Sequence, residues 1–253
     1  MRRFLPSLFA LLLLALPVHA QSSGTPTTVV VRAVANDAKL LQDPVGGAQI
    51  TIRDANTGAV LAEGIQTGDS GSTDTIMRQP HERGATIYEA PGAAKFETTL
   101  TLNRPVPVEI TAEGPLDYPH AMQRARTSVL LVPGKDITGD GIILTLNGFI
   151  VELLAPSDLD VSPGETMTVR SRVRLLCGCP TEPGGLWDAS RYDLRAQFVN
   201  DEGQIVSETD LAFAGTTSEY TGDLLVPQDA TTLRVLATDA ERVNFGMVEK
   251  SLD

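Results

Sequence analysis

The chain has 253 residues, with 32 acidic against 20 basic side chains and a formal net charge of −12. That surplus argues against nucleic acid and anionic membrane surfaces, whose phosphates need cationic contacts. Two cysteines are too few for a disulfide framework, so the fold must rest on hydrophobic cores.

At the start, Arg2 and Arg3 precede an apolar run from Phe4 to Leu16, and Pro17-Val18-His19-Ala20 offers the small residues that signal peptidase reads. Residues 1–20 are therefore expected to be a signal peptide, too short for a comfortable membrane span. No cysteine follows the cleavage site, so a lipid anchor is not expected. The mature chain would begin near Gln21, secreted or periplasmic, with no membrane span after signal removal. Cleavage takes away two arginines and no acid, moving the net charge from −12 to −14. About 230 mature residues suit one large domain or two of roughly 100 each.

From Thr28 onward the pattern is β. Apolar and polar residues alternate over 28–34, 48–53, 96–102 and 106–111, and again over 166–175, 194–199 and 232–237. Period two with polar partners predicts strands with one buried face. The 22 glycines and 16 prolines supply turns between them. The best helix candidate, His120 to Arg126, is short. Many short strands with regular turns predict an all-β chain of two tandem β-sandwiches. The break is placed at Asn147-Gly148, a hairpin turn or a bend between domains, the bend being preferred because Pro156 to Gly164 reads as the opening of a new sandwich. The division is then 21–147 and 148–253.

Within the first part, Val45-Gly46-Gly47-Ala48-Gln49-Ile50-Thr51-Ile52-Arg53-Asp54, followed by Thr57-Gly58 and Leu61-Ala62-Glu63-Gly64, resembles the carboxypeptidase-regulatory or transthyretin-like β-sandwich family over about 40 residues. The resemblance implies a fold and no fixed function. Transthyretin-like hydrolases acting on hydroxyisourate end in a tyrosine-arginine-glycine-serine tail, whereas this sequence closes on Glu249-Lys250-Ser251-Leu252-Asp253, so that activity is not expected. In the second part, Pro163-Gly164-Glu165, Ser218-Glu219-Tyr220, Ala237-Thr238-Asp239 and Asn244-Phe245-Gly246 resemble a bacterial immunoglobulin-like domain. That resemblance implies a sandwich used for interaction or spacing, with Tyr220 closing its hydroxyl onto backbone as a tyrosine corner.

The chemistry-bearing residues concentrate in Cys177-Gly178-Cys179-Pro180 and Gly184-Gly185-Leu186-Trp187-Asp188, which hold both cysteines and the single tryptophan. They fall between two strands, in a loop at one end of the second sandwich, where such folds bind partners. Cys177, Cys179, Trp187 and Asp188 are thus a candidate binding loop. Two thiols one glycine apart suit a local disulfide, a strained redox pair or a Cu(I) clamp, since soft sulfur ligands select Cu(I). They also suit two free thiols, with Trp187 simply packing the loop. His120 and Met122 form a His-x-Met triplet of copper-compatible ligands, and Met77 with His81 supplies the same types, although ordinary surface residues account for all four.

Three further patterns are weaker. Gly68-Asp69-Ser70-Gly71 resembles the trypsin-like nucleophile motif, but the only upstream histidine is His19 in the signal segment. With Asp117-Tyr118-Pro119-His120 it resembles SGNH hydrolases, which need a parallel α/β sheet that this pattern lacks. Asp136 to Asn147 resembles an EF-hand loop with Asn147 where a bidentate glutamate belongs, and a β-turn between Val132 and Ile142 explains it better. The expectation is an exported, non-catalytic binding or accessory protein whose partner is a protein or envelope component. The alternative is a periplasmic copper-handling or thiol-redox protein.

Overall fold

The computed structural model describes residues 24–157 and 161–252. The segment read as a signal peptide, residues 1–20, lies outside them. Among the described residues no helix is long and apolar enough to cross a membrane. The chain is all-β, built as two sandwiches.

Among the described residues seven strands make the first: β1 (Thr25–Ala35), β2 (Ala48–Asp54), β3 (Val60–Gln66), β4 (Phe96–Leu102), β5 (Val106–Gly114), β6 (Gln123–Leu131) and β7 (Ile137–Leu146). One sheet has the order β4-β1-β7, with β1 antiparallel to β4 and parallel to β7; the facing sheet is β3-β2-β5-β6. Alternate residues meet between the sheets, among them Val29, Val31, Ile50, Ile52, Val108 and Ile110. Gln66, fully buried at the end of β3, ties the sheets together. Its amide accepts from Ala33 N–H at 2.6 Å and donates to the carbonyls of Ala33 at 3.0 Å and Leu41 at 2.8 Å.

Two local readings are corrected. The expected short helix over 120–126 is a single 3₁₀ turn at Pro119–Ala121, and the chain is already in β6 from Gln123. The alternation of Gln123-Arg124-Ala125-Arg126 wins because Arg124 and Arg126 pair across to Glu113 and Glu109 on β5. The calcium-like segment is not a loop but spans the whole of β7, while the turn sits earlier, with Lys135 N–H on Val132 O and Gly134 at φ 71°. Gly141, at φ 71°, carries a bulge where the register with β1 slips; a Cβ there would meet Val30 O at 2.4 Å. The carboxylate of Asp140 receives the N–H groups of Ile87, Tyr88 and Glu89 at 2.7–3.0 Å, and that of Asp136 receives Thr28 N–H. These carboxylates are spent on backbone.

The second sandwich contains β8 (Phe149–Ala155), β9 (Thr166–Leu175), β10 (Asp193–Val199), β11 (Ile205–Asp210), β12 (Ala212–Phe213), β13 (Glu219–Leu225), β14 (Thr232–Asp239) and β15 (Asn244–Ser251). Its sheets are ordered β12-β13-β9-β8 and β11-β10-β14-β15. Lettered along the chain, they read D-E-B-A and C′-C-F-G, the strand order of an immunoglobulin sandwich. Tyr220 lies on β13 rather than on the later strand of a tyrosine corner. Its hydroxyl meets Thr181 Oγ1 at 2.7 Å, and Thr181 in turn donates to Val173 O at 2.8 Å. The closure onto backbone runs through a second side chain, which the sequence pattern does not encode. A single hydrophobic cluster runs through both sandwiches.

Candidate functional site

The Cys177–Cys179 segment follows β9 and precedes β10, as the strand pattern predicts. Its surroundings differ from the expectation of an open loop. Cys177, Cys179 and Trp187 are only 0%, 4% and 6% exposed, because the loop faces the first sandwich. Gln42 donates its side-chain amide to Cys177 O at 2.9 Å, and a Cβ on Gly178, at φ 78°, would meet Val45 Cγ1 at 2.9 Å. Trp187 donates its indole N–H to Asp37 O at 2.8 Å, 150 positions away. Asp188 is half-buried, and its carboxylate accepts from Gly184 and Ser190 N–H, which caps the short turn at Ala189–Arg191. Those amides hold its carboxyl below the ordinary aspartate range.

The partner of this loop is the turn after β1, which sequence reading passed over. Asp37 sits there at φ 53°, a conformation that Asn and Asp tolerate better than most residues. Its carboxylate pairs with Arg242 at 2.7 Å and Arg191 at 3.6 Å, both from the second sandwich, and burial raises its pKa. Buried Asn244 accepts from Gly148 N–H at 2.9 Å and donates to Asn36 O at 3.2 Å. On the other flank Arg174 donates to Tyr118 Oη at 2.8 Å and to Glu152 at 2.8 Å, its guanidinium 5.2 Å from the Tyr118 ring centre. The candidate loop is therefore one half of an interlocked junction between the sandwiches.

The cysteines are joined as a disulfide. Joined sulfurs offer no thiolate, so a Cu(I) clamp drawing on Cys177, Cys179, His120 and Met122 lacks its two thiolates in this state. His120 is tied through Nε2 to Val151 O at 2.9 Å, and Met122 is exposed. Among the described residues no group of three or more His, Cys, Asp or Glu side chains gathers as a metal site. Ser70 is buried, and its carbonyl receives Leu40 N–H; Asp69 turns its carboxylate onto Gly71 N–H, as turn chemistry requires. No histidine hydrogen-bonds to Ser70 among the described residues.

A second feature lies on the outer face of β1. The 67–95 connection folds back over the sheet, and Ala93 and Ala94 pack with Val34 and Leu40 in a separate small cluster. Beside that cluster a cavity of about 640 Å³ opens, lined by Arg32, Thr67, Glu89, Pro91, Lys95 and Glu97 among others. The signal for it in the sequence is the 29-residue gap between the end of β3 at Gln66 and the start of β4 at Phe96, since connections of that length in compact domains carry function more often than short ones.

No family model matches the chain, and no curated protein is significantly similar to it. Among solved structures it is similar to the crystal structure of Dpr2 Ig1-Ig2 in complex with DIP-Theta Ig1-Ig3. The identity is 10% and the TM-score 0.27, covering 88% of this chain and 96% of that one. At that score the fold assignment rests on the sheets themselves.

Proposed function

We propose that the chain is an exported, non-catalytic binding or accessory protein that acts as one rigid pair of sandwiches, with a protein or envelope component as its partner. The supporting observation is the junction. Its hydrogen bonds, ion pairs and buried Trp187 fix one sandwich against the other, and a fixed pair presents a composite surface that two hinged modules would not. The apolar N-terminal run behind Arg2 and Arg3 supports export, and the Val45–Asp54 pattern supports a transthyretin-like first sandwich. Cross-linked capture from the native envelope fraction tests the reading, with intact chain and Asn244→Ala as baits. The intact chain should retain one partner that Asn244→Ala retains less well. Equal capture by both baits removes the rigid-pair reading, and turnover of any substrate lost in a point variant removes the non-catalytic one.

A further inference from the structure

Arg32 occupies β1 with only 2% of its surface exposed. Its Nη1 donates to the carbonyls of Gly139 at 2.6 Å and Asp140 at 2.9 Å, both carried by the β7 bulge. Nε is buried without a partner, and Nη2 makes no hydrogen bond among the described residues. Asp140, Glu89 and Glu97 act on the guanidinium only through space. Asp140 is committed to three amides and Glu97 is paired with Lys95 at 2.5 Å. A buried guanidinium without a contacting counter-ion is destabilising unless something else compensates it, and an unsatisfied buried polar group calls for an explanation.

The cavity beside it supplies one. Its volume of about 640 Å³ falls inside the usual range for small-molecule sites. Its lining includes Glu89, whose side chain is exposed and joins no ion pair among the described residues, while its backbone is anchored by Asp140. The charged side chains of the lining are two carboxylates, Glu89 and Glu97, and two cations, Arg32 and Lys95, so a simple ion of either sign would meet like charge. A ligand carrying both charges matches the lining. We propose that the cavity binds a small zwitterion of the α-amino-acid class, its carboxylate on Arg32 with Lys95 beside it and its ammonium on Glu89. This site stands independently of the binding-module reading, because it needs neither the junction nor a protein partner.

The test is an NMR titration of the intact ¹⁵N-labelled protein with glycine, L-alanine, L-glutamate, L-lysine and L-phenylalanine, alongside acetate and methylammonium as half-ligands. At least one amino acid should shift the amides of Gly92 and Ala93. It should bind about tenfold or more tightly than either half-ligand, the ratio expected for one added charge-assisted hydrogen bond. Glu89→Gln should erase the advantage over acetate, and Arg32→Lys should weaken every carboxylate ligand. Should Arg32→Lys fail to fold, Glu89→Gln alone decides, since its side chain is exposed. Cavity amides that stay unmoved by all five amino acids overturn the proposal. So does acetate binding as tightly as the best of them, or an unchanged preference in Glu89→Gln.

Discussion

Glu219 shows how single side chains tie strands together. It lies on β13 and takes Arg170 at 2.6 Å and Arg172 at 3.1 Å, both from β9. The Arg172 and Arg170 hydrogen bonds hold its carboxyl below the ordinary glutamate range. A depressed carboxyl stabilises the fold above its unfolded pKa, and that share is lost as pH falls through the folded value. Stability should therefore drop with acid from about pH 4.3 downward. In Glu219→Gln that part of the pH dependence should be missing while stability at neutral pH falls, as read by urea unfolding at a series of pH values. A pH profile that runs parallel in the two proteins would discard this account. The Arg-x-Arg-x-Arg alternation of β9 was legible in sequence as an outward face. Its glutamate partner was not, because Glu219 is 47 positions from Arg172 and no local period links them.

Among the elements, the 67–95 connection departs furthest from simple alternation. Period two reads β1 as half-buried, yet seven consecutive residues from Val29 to Ala35 are buried or nearly so, because the connection covers the second face. Strands covered on one face only, such as β2 and β5, read correctly from their own residues. The covering segment hangs on Asp140. Replacing it with alanine leaves the amides of Ile87, Tyr88 and Glu89 without their acceptor, at a cost of about 2–3 kcal/mol. Hydrogen exchange of Asp140→Ala should accelerate at those amides and leave β5 protected. Uniform acceleration across the first sandwich would mean that Asp140 supports the whole domain and not the connection alone.

Over the whole molecule, the strands with clean alternation, such as β2, β5, β9 and β14, were legible from their own residues, while β6 and the junction were not. The junction's contacts join positions as far apart as Asn36 and Asn244, and its key residues are ordinary turn residues until the other sandwich is in place. The rare residues of the 177–188 segment stand out in the sequence, but rarity does not say whether a loop faces solvent or a neighbour. Removing the Asn244 side chain orphans Gly148 N–H and Asn36 O, which should cost about 2–3 kcal/mol. The intact chain should melt in one calorimetric transition and Asn244→Ala in two. Two transitions in the intact chain would show that the sandwiches unfold independently. Trp187 is the only indole in the chain, and it is seated where the sandwiches meet. The intrinsic ultraviolet emission of this protein is thus a gauge of one event, the parting of its two halves, with no label needed and no second chromophore of its kind to confuse the colour of the light.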